Sequence, residues 1–103
     1  MFNVNSRLIT RGILEQLPTE ILVQLWMSVD IQKNAGFEMD YLQVFKFEKV
    51  SDTVLVIRHE QEVPERKTVI YCEYQKDFET ILQKTVYIID DGDHSTMLFA
   101  EEY

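Results

Sequence analysis

Between Pro18 and Ala35 the apolar residues return with the period of a helix. Ile21, Leu22, Leu25, Trp26 and Val29 keep the three-and-four-residue rhythm of one face. The spacing predicts a helix over 18–35 with that face laid on a sheet. Pro18 suits the first turn, where its missing N–H has no intrahelical partner. Glu20 meets the positive end of the helix dipole. Gly36 is the stop, since glycine takes the left-handed conformation without penalty. A second stripe, Val23, Met27 and Ile31, runs along the flank at i, i+4, i+8. Gln24, Ser28 and Gln32 make the remaining polar strip. The second stripe reads in two ways. It is further core if the helix is deeply set, or the surface for a protein partner or a homodimer.

The rest of the chain mostly alternates with the two-residue period of strands. Arg7–Leu14 reads as a first strand, with Arg7, Ile9 and Arg11 on one face and Gly12 at a bulge. Tyr41–Lys49 puts Tyr41, Phe45 and Phe47 together. Ser51 and Asp52 turn the chain, and Thr53–Val63 hairpins back on it. Pro64 and Glu65 end that run. Arg66–Tyr74 is a fourth strand, rich in β-branched and aromatic residues. Asp77 can cap a short helix carrying Phe78, Ile81 and Leu82. Thr85–Asp90 and His94–Ala100 flank Asp91-Gly92, a strong hairpin signal. A two-residue type I′ loop there sets Asp90 opposite Asp93 and Ile88 opposite Ser95. The sum is an α+β fold, a mostly antiparallel β-sheet of five to six strands with one main helix packed on one face.

Length and composition narrow the picture. The 103 residues make a single domain, 1–103, with one core. Hydrophobic content of 46% beside 27% charged is ordinary for a globular chain. Cys72 is the only cysteine, which rules out an intrachain disulfide and suits a reducing compartment. The opening MFNVNSRLITRG does not read as a signal peptide, and no apolar run is long enough to span a bilayer. A cytoplasmic protein is expected.

The formal charge is −8, and residues 77–103 carry seven acids against one base. A field of that sign repels phosphate and disfavours nucleic acid and anionic membrane. It is compatible with a basic protein partner.

Candidate chemistry is sparse. Asp90, Asp93 and His94, beside Asp91, make the densest group of metal-type ligands. Their oxygens suit a divalent cation, but the spacing is not that of an EF-hand. Asp and Gly are equally what a solvated hairpin tip needs for its geometry. His59 sits between Arg58 and Glu60 and reads as an exposed or ion-paired strand residue. Cys72, in VIYCEY, reads as a small buried hydrophobe rather than a nucleophile. A Cys–His pair would need His59 or His94 to meet it across the sheet. Arg7 and Arg11 share a strand face and read as an anion site or as solvated edge charges. Gly12, Gly36 and Gly92 are isolated, so there is no phosphate loop. No cofactor is expected.

Three stretches carry a resemblance: NSRLITRG at 5–12, YLQVF at 41–45 and IIDDGDHSTMLFAEEY at 88–103. In these, and in length, the chain resembles the staphylococcal protein-of-unknown-function family, short uncharacterised proteins of Gram-positive cocci and their relatives. The resemblance implies a cytoplasmic bacterial protein and brings no activity, cofactor or site residue. Three function classes follow. The favoured one is a small acidic non-enzymatic interaction or accessory protein. The others are a divalent-metal-dependent enzyme built on the C-terminal Asp/His cluster, and an acidic nucleic-acid mimic that occupies a basic protein.

Overall fold

The computed structural model describes residues 1–103. Its six-stranded sheet has the order β1-β6-β5-β2-β3-β4. The strands are β1 (Arg7–Ile9), β2 (Leu42–Lys49), β3 (Val54–Gln61), β4 (Arg66–Glu73), β5 (Thr85–Asp90) and β6 (Ser95–Phe99). All pairings are antiparallel except β1 with β6. Two helices, α1 (Arg11–Gln16) and α2 (Thr19–Asn34), follow β1. The α+β architecture, with one main helix on a mostly antiparallel sheet, is as the periodicities imply.

The helix α2 starts where expected. Pro18 is its N-cap, and its carbonyl accepts from the N–H groups of Ile21 and Leu22. Gly36, with φ of +86°, turns the chain out. Ile21, Leu25 and Val29 are fully buried, and Leu22 and Trp26 pack at the margin of the same core. They meet the sheet face made by Phe45 and Phe47 of β2, Leu55 and Ile57 of β3, Val86 and Ile88 of β5, and Met97 and Phe99 of β6. Between β4 and β5 a 3-10 turn (Glu79–Ile81) buries Phe78 and Ile81. Asp77 accepts the Glu79 N–H there, so the expected cap is present on a shorter element.

The first expected strand is divided. Only Arg7–Ile9 is extended, and Arg11–Gln16 is helical. Gly12 therefore lies in a helix, not at a bulge. Thr10 caps α1 by accepting the Ile13 N–H, and its hydroxyl donates to Glu102. The Glu102 carboxylate also accepts from the Phe99 N–H. This carboxylate rests over Gly12, where an added Cβ would lie 2.7 Å from it. Gly12→Ala should therefore be neutral or destabilising in the native chain. In a Glu102→Ala background the same change should stabilise by about 0.5–1 kcal/mol, the ordinary helical preference for alanine. Equal stabilisation in both backgrounds, read from urea midpoints, would show that the carboxylate is not held there.

The last hairpin also departs from expectation. Asp90 pairs with Ser95, Ile88 with Met97 and Val86 with Phe99, a shift of two residues. Four residues, Asp91–His94, make the loop. Gly92 has φ of +99°, while Asp91 stays out of the left-handed region that a type I′ turn requires. The Asp91 carboxylate accepts the N–H groups of Asp93 and His94, and the Asp91 N–H donates to the His94 carbonyl. Because the shift is even, every side chain keeps its face.

Candidate interaction surface

The site is built from a helix flank and a sheet edge. The main face of α2 is spent on the core, so the second stripe is left outside it. Val23, Met27 and Ile31 are 44%, 46% and 64% exposed. The expectation that they extend the core therefore fails. Phe37, in the loop after α2, adds a further exposed ring. Arg66 of β4 stacks on that ring at 4.8 Å. Met27, Ile31 and Phe37 wall a groove of about 270 Å³, with Ile70 of β4 opposite and Gln32 and Thr68 at its floor. Beyond it β4 ends the sheet with no partner on its outer side.

The groove floor is polar because of a buried network beneath it. Ser28 and Gln32, of the helix's polar strip, are both buried, as is His59. Ser28 donates its hydroxyl to His59 Nδ1 at 2.6 Å, and Gln32 Nε2 approaches the same nitrogen at 3.2 Å. Gln43 Oε1 sits 2.6 Å from His59 Nε2, which assigns the proton to Nε2. Gln43 Nε2 donates to Gln61 Oε1, which also accepts from Arg66. Gln32 Nε2 donates to Thr68, and its Oε1 accepts from Arg66 Nε. The buried side-chain polar atoms of this network are thus paired, as burial demands. The ring of His59 stacks on Phe45 at 4.3 Å. Burial, and secondarily the charge of Arg66, pushes His59 down to about 4, so it is neutral at physiological pH.

This corrects the expectation of an exposed or ion-paired His59. The sequence does hold a signal for it. His59 and Gln61 continue the alternate positions of Leu55 and Ile57, and Gln43 is in phase with Phe45 and Phe47. A polar residue in phase with a buried row is carried into the core.

Cys72 is buried and faces Leu55 across the ladder, while His59 faces Thr68. Four strand residues, about 13 Å, thus separate Cys72 from the residue opposite His59. His94 lies in the exposed C-terminal loop. Asp90 accepts the N–H groups of Phe2 and Gly92. No three His, Cys, Asp or Glu side chains are grouped so as to hold a metal ion. Arg7 is bound to Asp30 of α2, donates to the Phe2 carbonyl and lies 4.6 Å over Trp26. Arg11 pairs with Glu15. Arg7 is thus committed within the fold, while Arg11 stays exposed on α1, away from Arg7's partners. Several acids of 77–103 are engaged within the chain: Glu79 with Lys49, Glu101 with Lys84, and Glu102 with Thr10.

No helix is long and apolar enough to cross a membrane. The fold is similar to the crystal structure of a protein of unknown function from Enterococcus faecalis. The TM-score is 0.84 at 19% identity, over 99% of this chain and 94% of that one. At that identity the likeness is one of fold. The comparison with curated proteins gives no match. The family model described as "Staphylococcal protein of unknown function (DUF960)" matches residues 6–102. Matched over nearly its whole length, the chain belongs to that staphylococcal family, as its opening and closing stretches suggest.

Proposed function

We propose that the protein is a small acidic, non-enzymatic interaction module that docks a protein partner on the flank of α2. The observation that carries this reading is the exposure of Val23, Met27 and Ile31 beside the groove walled by Phe37 and Ile70. Apolar side chains grouped around a concavity are what a partner surface looks like before it is covered. The hydroxyls that line the groove, on Ser28 and Thr68, are both tied into the buried network, and His59 lies beneath the floor with both ring nitrogens engaged. A lone buried thiol and a negative charge are at home in the cytoplasm, where this reading places the protein.

The test is retention of proteins from a bacterial lysate on three immobilised forms. These are the native chain, Met27→Glu, and Leu14→Glu as a control on α1, which lies at the opposite edge of the sheet. A protein held by the native and Leu14→Glu forms and lost with Met27→Glu is expected. It should persist at high salt, because apolar contact is not screened. The same retained set on all three forms, or nothing retained by a native chain that is itself monomeric, would remove this reading.

A further inference from the structure

The free edge of β4 carries a pattern that selects its occupant. The Tyr74 N–H donates to the Thr53 carbonyl at 2.8 Å. Bonded and non-bonded pairs alternate along an antiparallel ladder. With Thr68 opposite His59 and Ile70 opposite Ile57, these even residues bond to β3. Lys67, Val69, Tyr71 and Glu73 therefore turn their backbone N–H and C=O groups outward. Their side chains all lie on the sheet face away from α2. Val69 is 46% and Tyr71 73% exposed. Lys67 and Glu73 belong to none of the ion pairs within the chain.

Resting on the docking reading above, we infer that the occupant is a second copy of this chain, joined by antiparallel pairing of β4 with itself about a two-fold axis at Ile70. In that register the outward residues pair with hydrogen bonds. Lys67 stands opposite Glu73 of the second copy, and Val69 opposite its Tyr71. Each pair occurs twice by symmetry. Both are favourable cross-strand combinations, opposite charges and an aromatic against a β-branched residue. A slip of two residues in one direction sets Lys67 opposite Tyr71 and Glu73 opposite Glu65. A slip in the other sets Val69 opposite Glu73. Only the Ile70-centred register satisfies the charges.

The same axis brings the two helix flanks together. Gln32 bonds Thr68 at 2.9 Å. Two strand residues from Thr68 to Ile70 advance about 6.7 Å, which is roughly four residues of helix. Met27 and Ser28, one turn before Gln32 and in the same groove as Thr68 and Ile70, thus lie near the axis. The two helices run antiparallel, with Met27 near Met27 and Ile31 of one copy toward Val23 of the other. The grooves on either side of the axis merge, and the free edge is removed. The charge of −8 on each copy opposes association, but physiological salt screens it beyond about 8 Å.

The experiment is sedimentation equilibrium at physiological ionic strength, from low to high micromolar protein. The native chain should sediment at twice 12.3 kDa. Lys67→Glu, which sets like charges opposite each other at both ends, should weaken the dimer about tenfold or more. The charge exchange Lys67→Glu with Glu73→Lys should restore it. Val69→Pro removes an outward donor without touching the β3 ladder and should abolish the dimer. Native monomer at every concentration overturns the inference. So does a dimer indifferent to both Lys67→Glu and Val69→Pro, or one that the charge exchange fails to restore. If the native monomer still retains a lysate protein in a Met27-dependent way, the docking surface stands and only its occupant is refuted. If it retains none, both fall.

Discussion

Leu25→Ala is expected to lower the free energy of unfolding by about 2–5 kcal/mol. Leu25 is fully buried, midway along the face of α2 between Ile21 and Val29. Its side chain belongs to the cluster of 18 buried residues that includes Phe45, Ile57 and Met97. Alanine would remove apolar surface from that cluster and leave a cavity the helix cannot easily collapse. The helix is held at one flank by Arg7 on Asp30 and Trp26, and at the other by Ser28 and Gln32 on the sheet. Tethers on both sides limit relaxation, which favours the upper part of the range. Alanine is also the better helix former, so the loss cannot come from backbone propensity. A urea midpoint equal to that of the native chain would show that α2 does not pack on the sheet through this face.

The second large effect is on pH. His59 is held neutral in the folded chain, at about 4 against an ordinary value of 6.5, mainly by burial and then by Arg66. The unfolded chain therefore takes up a proton first as pH falls. Stability from this group is fully present above about pH 6.5 and is lost progressively down to about pH 4. The total is about 3 kcal/mol, the free-energy equivalent of a fall from 6.5 to about 4. Protonation at Nδ1 would set a donor against the Ser28 hydroxyl and the Gln32 amide, both of which donate there. The measurement is a series of urea midpoints between pH 7.5 and 4 for the native chain and for His59→Gln. The native series should fall through that window. His59→Gln should start lower, because it breaks the network, and fall less steeply. Parallel slopes would mean that His59 takes a proton in the folded state as readily as in the unfolded one. Asp91 and Glu48, whose carboxyls are also held low, respond at more acid pH and affect both series alike.

The stripe of Val23, Met27 and Ile31 was visible as a stripe, but not as exposed. Periodicity gives the angle between two rows of side chains, while exposure depends on how many strands lie beneath the helix. Here the polar strip turned inward instead. Ser28 and Gln32 face the sheet because His59, Gln43 and Thr68 offer them partners there. Phe37 and Ile70 join the groove from distant parts of the chain, and no local pattern links them to α2. Arg7 shows the same limit. It reads as a strand-face cation, and becomes a tie between the N-terminus, β1 and α2 only when Asp30 and Trp26 are brought beside it.

What the sequence by itself determined is what local chemistry decides. The period of α2, its proline start and its glycine stop act within a few residues. So do the alternation of β2 to β5 and the presence of turns at Ser51 and Gly92, though not the length of the second loop. What only the tertiary structure decided is everything that needed two distant segments at once. Arg11–Gln16 is helical partly because Glu102, from the far end of the chain, meets Thr10 and Gly12. The short β1 is a strand because β6 lies parallel beside it, and β5 crosses to β2 rather than pairing with β4. Backbone groups must find partners, but a residue's own sequence does not say which segment will supply them. That choice falls to the packing of the whole core, and it leaves β4 and the flank of α2 as the uncovered edge.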